Sequence, residues 1–586
     1  MKVIVATLNA KYIHTSLALR YLKAYCQQDF DIDIREFTIK DPPMHILSEL
    51  YQQQPDVLGF SCYIWNIEQT IQIIQMIKKV HPSMKIVLGG PEVSYDVEYW
   101  MNRIPEVDFI VVGEGEATFH QLLQEIASSQ KYHFVSGIAY RKIDRITINP
   151  PRAKLKLDEI PSPFRFDEDL PQLANRITYV ETSRGCPFSC QFCLSSIEVG
   201  VRYFDIERTK QELAFLIGAG ATLIKFVDRT FNIKRDYALE IFDFLIKNNQ
   251  GCVFQFEITA DIMRPEVLDY LAEHAPPGVF RFEIGVQSTN EVTNDIVQRK
   301  QNFRKLSQTV NKIRDSQKIA QHLDLIAGLP KENYDSFRNT FNEVFDLRPE
   351  ELQLGFLKML RGTGLRREAE KYGYVYMDQA PYEIFAHQDL SFAEVIRIKR
   401  VEDILEKYWN AHRMDHTVKF LIDHVFPTAF DFFQQFGDYW EQQGWQKIGH
   451  QLEDLFTRLR NFLESTCSQQ MNIVEGLMKL DYFVGHKYKP RKIWWEFSMN
   501  KKEQAAVFTS AAEEPWKVSS SFEQLHLSEK ELYKHVMIEH VAFDLKLYLT
   551  SGDIELRKSV MLAYFDPELK SGTQIYAVPL TQQLLV

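Results

Sequence analysis

The opening of the chain alternates short apolar runs with stretches in which apolar residues recur every three or four positions. The runs Lys2 to Thr7, Ile32 to Phe37, Val57 to Ser61, Lys85 to Leu88 and Phe109 to Val112 read as buried parallel strands, while Ser16 to Gln28 and Ile67 to Val80 have helical spacing. This alternation predicts a doubly wound parallel sheet, whose ligand site lies outside the carboxyl ends of its strands. Four loops fall there: Asn9 to His14, Ser61 to Asn66, Gly89-Gly90-Pro91-Glu92 and Gly113-Glu114-Gly115-Glu116. Glycines at strand ends let the backbone approach a ligand closely, so Gly89, Gly90, Gly113 and Gly115 are candidate contacts to a large planar cofactor, although each alone also reads as a turn.

Between Tyr140 and Arg176 the prolines at 150, 151, 161, 163 and 171 interrupt regular structure and predict a connector. Alternation resumes with strands expected at 177–182, 222–228, 253–259, 280–287, 322–327 and 352–358, separated by helical patterns such as Glu207 to Gly218, Arg235 to Asn248 and Asn333 to Leu347. Six such units predict an open (βα)6 barrel with its catalytic residues at the strand carboxyl ends. Beyond 375, Ala393 to Leu405, Thr417 to Leu421 and Ile448 to Lys479 predict a helical bundle; past Asp481 come aromatic and basic residues over Tyr488 to Phe497, then mixed strands and helices. The fold class is therefore α/β: a doubly wound domain over 1–140, a linker over 141–175, a barrel over 176–375 and a mostly helical region with some strands over 376–586.

Bulk properties narrow the partners. A chain of 586 residues with 45% hydrophobic content is large enough for several cores. Its net charge of -11 argues against a generally basic nucleic-acid surface, and the basic, aromatic stretch at 488–497 reads as an amphipathic strand before an RNA platform. The opening residues run straight into a strand pattern, and no apolar run approaches the ~20 residues of a membrane span, so a cytoplasmic protein is expected. Seven cysteines, three of them clustered, suit a reducing compartment.

Those three, Cys186, Cys190 and Cys193, follow the strand expected at 177–182. Thiolates at this spacing, on a loop with Gly185 and Pro187, can converge on one soft metal centre. A structural zinc knot is the rival reading, but it closes with four ligands and the next cysteine is Cys252, inside an apolar run. The pattern C-x-x-x-C-x-aromatic-C, with Phe192 as the aromatic, resembles the radical S-adenosylmethionine (SAM) superfamily. That resemblance implies a [4Fe-4S] cluster on the three cysteines, with SAM on the open iron. It also implies SAM contacts from Asp228 at the second strand end, which could instead support the loop around SAM, Glu257 in the third, Gln287 and Ser288 in Gly285-Val286-Gln287-Ser288, Arg299, and Gly328 in Gly328-Leu329-Pro330. A helix cap is the plain alternative for Asp228, and a solvated cation for Arg299. Gly362-Thr363-Gly364-Leu365 is similar to the ending P-G-T-x-L of such cores, with Arg361 in place of the proline.

Asp56 to Ser61, Gly89-Gly90-Pro91 and Gly113-Glu114-Gly115-Glu116 in turn resemble the cobalamin-binding domain that precedes many radical SAM cores, which implies corrinoid contacts from Asn9, Ser61, Gly89, Gly90, Gly113, Glu114, Gly115 and Glu116. The histidine motif D-x-H-x-x-G is replaced by Asn9-Ala10-Lys11-Tyr12-Ile13-His14, so His14 reads as a loop histidine and cobalt without a histidine lower ligand is expected. Cys62 and Tyr63 could face the cofactor, with a buried apolar role the alternative for Cys62. Together the resemblances imply a cobalamin-dependent radical SAM enzyme. Fed by a donor such as flavodoxin or ferredoxin, it cleaves SAM to a 5′-deoxyadenosyl radical and methylates an unactivated carbon of a small-molecule or peptide substrate. A rearrangement or cyclisation enzyme, a cofactor-binding sensor and an RNA-modifying enzyme stay open, the last disfavoured by the acidic composition.

Overall fold

The computed structural model describes residues 1–578 apart from 143–144, 198–199, 567 and 569–571. It divides into two compact units, 1–395 and 396–586.

In the first unit, β1 (Lys2–Asn9), β2 (Asp31–Thr38), β3 (Val57–Ser61), β4 (Lys85–Gly89) and β5 (Phe109–Val111) pair in parallel in the order β2-β1-β3-β4-β5. Two antiparallel strands, β6 (Ile138–Lys142) and β7 (Arg145–Ile148), extend this sheet past the boundary expected at 140. β3 is buried at every position because helices cover both faces. Ile4, Leu58, Ile86 and Ile110 pack on one side, and Val3, Val5, Val57 and Val87 on the other.

A second sheet carries β8 (Thr178–Val180), β11 (Leu223–Phe226), β12 (Val253–Ile258), β13 (Phe280–Gln287), β14 (Ile319–Ala327) and β15 (Glu351–Phe356), all parallel and in chain order. Between β8 and β11 lies an antiparallel hairpin, β9 (Ser183–Cys186) and β10 (Gly200–Tyr203). β12, β13 and β14 alternate buried and half-buried residues along their whole length. Phe254, Phe256, Phe280 and Phe282 fill the buried face, and Gln255, Glu257, Arg281 and Glu283 take the other. That alternation is the pattern of an open barrel with a polar lumen. A small pair, β16 (Val375–Tyr376) and β17 (Ile384–Ala386), follows the last barrel strand.

The second unit combines the helices Asp415–His424, Ala429–Gln442, Leu452–Thr466 and Met471–Val484 with an antiparallel sheet of β18 (Val536–Phe543), β19 (Leu556–Tyr564) and β20 (Gln574–Val578). The single helical stretch expected over Ile448 to Lys479 is two helices, broken at Cys467 to Gln470. No strand forms over 488–497. Trp494 stacks on Phe456 with centroids 5.6 Å apart, and Trp495 meets Tyr482 edge-on at 5.4 Å. The aromatic side chains thus serve this unit's own packing, and Pro490 removes a ladder donor from the segment. Among the described residues no helix is long and apolar enough to cross a membrane.

Candidate active site

A cavity of about 740 Å³ opens at the carboxyl ends of β1, β3, β4 and β5. Asn9, Ser61, Gly89 and Gly90 line it, as do Gly113, Glu114, Gly115 and Glu116, so the structure brings all eight expected contacts to one place. The cavity runs down into the domain as a slot between Val5, Gly59, Val87 and Val111 of the sheet and Phe119 of the helix Glu116–Ala127. At Gly90, φ is +102° and a Cβ would lie 2.7 Å from the Cys62 carbonyl oxygen. Only glycine lets the loop pass this close. Cys62 itself is fully buried in the core and does not line the cavity, whereas Tyr63 and Trp65 do, stacked with centroids 4.3 Å apart.

His14 sits on the loop after β1, where its Nδ1 lies 2.7 Å from the Tyr179 hydroxyl of β8. Burial, helped by Lys11, Lys225 and Arg176, lowers its pKa and keeps the ring neutral. The glutamates of the Gly-Glu-Gly-Glu loop turn to the barrel. Glu116 Oε1 accepts from Arg184 Nη2 at 2.6 Å, Glu181 Oε1 accepts from Arg184 Nε at 2.9 Å, and Glu114 pairs with Arg202. Arg184 and Arg202 face each other across the β9–β10 hairpin, and β9 ends at Cys186. This joint was not foreseen from the sequence, although Arg184 stands two residues before the first cysteine of the motif.

The second cavity, about 320 Å³, lies at the barrel mouth. Cys186, Cys190, Cys193 and Phe192 line it together with Glu257, Gln287 and Arg299. Burial raises the Cys186 thiol, with Cys193 and Cys190 adding to the effect; at Cys190 burial again raises the pKa while Arg299 opposes it. Neither a histidine nor a fourth cysteine lines this cavity among the described residues, and all seven cysteines are free. No group of three or more histidine, cysteine, aspartate or glutamate side chains is drawn together as a metal cage among the described residues. Three thiols facing one cavity without a fourth cysteine or a histidine fit a cluster with one open iron better than a closed zinc site of cysteine and histidine ligands. The glycine-lined slot likewise fits a planar macrocycle with a tail that enters the domain.

Three expected SAM contacts stand back from this cavity. Asp228 is buried, accepting from the Thr182 amide at 2.9 Å, the Thr182 hydroxyl at 2.7 Å and the Ser183 hydroxyl at 2.5 Å. It caps no helix; it joins the end of β11 to the chain leading into the cysteine loop. Ser288 is fully buried and donates to Glu332 Oε1 at 2.6 Å. Gly328 backs onto Ile384, which leaves no room for a side chain. Gln287 does face the cavity, turned inward by φ of +70° at a break in the β13–β14 register. Arg299 donates from Nε to the Val286 carbonyl at 3.2 Å and to Gln301 at 3.1 Å, and from Nη2 to the Gly285 carbonyl.

Below the mouth the lumen is charged but paired. Lys225 meets Glu283 at 2.7 Å, and His322 lies between Asp324 at 3.1 Å and Glu351 at 3.2 Å. Burial alone would lower His322, but the two carboxylates outweigh it and push its pKa up to about 9. Glu257, at the rim, is pushed up to about 6 by burial against the pull of Arg229.

The Gly89-Gly90-Pro91 loop is also held from the barrel side. Tyr382 donates to Glu92 Oε1 at 2.5 Å with both residues buried, and Arg361 reaches the Tyr382 hydroxyl at 3.2 Å and Asp96 at 3.0 Å. Arg361 therefore has a task that the proline usual in its motif could not perform.

Fold and cavities together define a doubly wound parallel-sheet domain followed by an open (βα)6 barrel, with a glycine-lined slot in the first and a three-thiol cavity in the second. The B12 binding domain model matches residues 2–123, the radical SAM superfamily model 180–344 and the model named "Protein of unknown function (DUF4080)" 370–563. The chain is 28% identical to the cobalamin-dependent radical SAM methyltransferase TokK of Streptomyces tokunonensis over 390 residues, which cover 62% of this chain and 56% of TokK. It is 30% identical to a 2-(S-pantetheinyl)-carbapenam-3-carboxylate methyltransferase of Streptantibioticus cattleyicolor, over 50% of this chain and 45% of that one. An anaerobic magnesium-protoporphyrin IX monomethyl ester cyclase of Synechocystis is 24% identical over 53% of this chain and 63% of its own. The chain spans about half the length of the first two. In fold it is similar to the cobalamin-dependent SAM radical enzyme OxsB, with a TM-score of 0.58 at 15% identity over 95% of this chain and 81% of OxsB. TsrM of Kitasatospora setae gives 0.55 at 15% identity over 65% of this chain and 80% of TsrM.

Proposed function

We propose that the protein is a cobalamin-dependent radical SAM enzyme that methylates an unactivated carbon. The observation that carries this reading is the meeting, inside one compact unit, of the glycine-lined slot and the three-thiol cavity. Cys186, Cys190 and Cys193 would hold a [4Fe-4S] cluster, Gln287, Glu257 and Arg299 would orient SAM, and the loops at Asn9, Ser61, Gly89-Gly90 and Gly113-Glu114-Gly115-Glu116 would hold cobalamin. When bound, the cluster and SAM supply a hydrogen-abstracting 5′-deoxyadenosyl radical and cobalamin supplies a methyl group. The protein's own residues position these groups. Arg299 offers a guanidinium beside Cys190, suited to the SAM carboxylate. The ion pairs of Arg184 and Arg202 with Glu116 and Glu114 fix the slot against the strand that leads to Cys186.

Likeness to the magnesium-protoporphyrin ester cyclase supports a second reading, a cyclisation without methyl transfer. A cytoplasmic location and reduction by a flavodoxin or ferredoxin complete the proposal. The test uses anaerobically reconstituted protein with SAM deuterated at its methyl group. Cobalamin binding, SAM cleavage and transfer of the labelled methyl to a substrate or to the corrinoid are expected. Absence of corrinoid binding, or 5′-deoxyadenosine formed at full rate without corrinoid, would count against methyl transfer.

A further inference from the structure

Among the described residues, Arg229 is the one that lines both cavities. It directly follows Asp228, whose three hydrogen bonds fix this stretch of backbone. The Arg229 side chain is 53% exposed, and its ion-pair partner is Glu257 Oε2, 3.9 Å from Nη1, beyond hydrogen-bond length. Its guanidinium neighbours are committed elsewhere. Arg184 is held by Glu181 and Glu116, and Arg299 spends Nε and Nη2 on the Gly285 and Val286 carbonyls and on Gln301, which leaves its remaining donors to the SAM carboxylate of the proposed function. Arg229 thus presents an open fork of donors at the junction, and such a fork binds a carboxylate or a phosphate through two parallel hydrogen bonds.

We infer that Arg229 anchors the anionic group of an acid-bearing substrate, a carboxylate or a phosphate, at the junction of the two cavities. The inference rests on the proposed radical reading, because there a single molecule must give up hydrogen on one side and receive a group on the other. An anchor on the shared wall holds such a molecule in reach of both. Glu257 leaves the fork's donors free because its nearest oxygen stands 3.9 Å from Nη1, beyond hydrogen-bond length. On this assignment a neutral or cationic analogue of the substrate binds poorly even when its shape is right.

The test uses full-length protein loaded with cluster, hydroxocobalamin and SAM. Succinate and inorganic phosphate are titrated as separate probes at constant ionic strength, read by the visible spectrum of the corrinoid. A saturable change with at least one probe is expected, and the probe that binds tells carboxylate from phosphate. In Arg229→Met that affinity falls by about tenfold or more, the size expected for losing a charge-assisted pair, and Arg229→Lys falls between. Separately measured affinities for SAM and for cobalamin change by less than about twofold. Loss of SAM affinity in Arg229→Met would assign the arginine to the SAM carboxylate, and loss of cobalamin affinity to a corrinoid amide; either overturns the inference. So does the absence of any saturable response in the wild type, or equal response in both proteins. A protein that binds no cobalamin or cleaves no SAM fails the functional reading before any probe is added.

Discussion

The two parallel sheets of the first unit follow the same strand–helix grammar but treat their faces differently. β3 buries both faces in apolar packing, whereas β12, β13 and β14 bury one face and turn Glu257, Glu283 and His322 into a lumen. The difference reaches the cavities. At the end of the apolar sheet the cavity is lined by backbone, through Gly89, Gly90, Gly113 and Gly115, and by a slot cut into the core. At the end of the barrel the cavity is lined by side chains, three thiols and a set of paired charges. A site built from backbone is shaped by folding alone, while a site built from thiols waits for its metal to draw the ligands together.

The strongest test of that contrast separates the two sites. Replacing any of Cys186, Cys190 or Cys193 by Ala is expected to abolish iron incorporation and SAM cleavage while leaving cobalamin affinity within about twofold of wild type. Loss of cobalamin binding in these variants would show the slot to depend on the cluster. The converse variant is Gly90→Ala. Its Cβ would meet the Cys62 backbone at 2.7 Å and its φ is +102°, a cost of about 1–3 kcal/mol. A cobalamin affinity about tenfold to a hundredfold weaker follows, with iron content unchanged.

Much of this layout is legible in the sequence because it is local. Strand ends, glycine pairs and the three-cysteine spacing are each set by neighbours a few residues away, and the eleven strand positions read for the two parallel sheets all hold strands. What escapes is pairing at long range. Asp228 reads as a SAM contact, a support for the loop around SAM or a helix cap, and only its hydrogen bonds to Thr182 and Ser183, more than forty residues earlier, single out the support. Ser288 reads as a SAM contact, but its hydroxyl is taken by Glu332. Arg361 is a motif departure in the sequence, and its meaning comes from Asp96, 265 residues away.

Tyr382, which Arg361 also reaches, gives a test of intermediate size, on whether backbone alone sets the slot. Tyr382→Phe removes the hydroxyl from buried Glu92, at a cost of about 1–3 kcal/mol. Burial pushes the Glu92 pKa up to about 7 despite that hydrogen bond. Because the raised carboxyl keeps its proton longer in the folded protein, stability declines as pH rises from about 4.5 to about 7. In Tyr382→Phe the decline should extend to higher pH, as thermal melts across this range will show. Weaker cobalamin binding in the same variant, with normal iron content, would mean that the barrel also holds the slot.

The smallest effect is expected in the polar lumen, and it asks whether the charged network supports the barrel or serves chemistry alone. His322 is held above its ordinary value, at about 9, by Asp324 and Glu351 against the effect of burial. The stabilisation from this proton is fully present below about 6.5 and is lost as pH rises through about 9. Glu351, drawn down to about 2 chiefly by its hydrogen bond from His322, works in the other direction: its contribution is present above about 4.5 and is lost as pH falls toward 2. Between these limits the pair holds Arg281 as well, through a 2.5 Å contact with Glu351. The melting midpoint should therefore fall by a few degrees between pH 6.5 and 9.5, and His322→Gln should flatten that fall while leaving cobalamin affinity untouched. An unchanged slope in His322→Gln would remove the histidine from the barrel's stability and leave the lumen charges to act on a bound ligand.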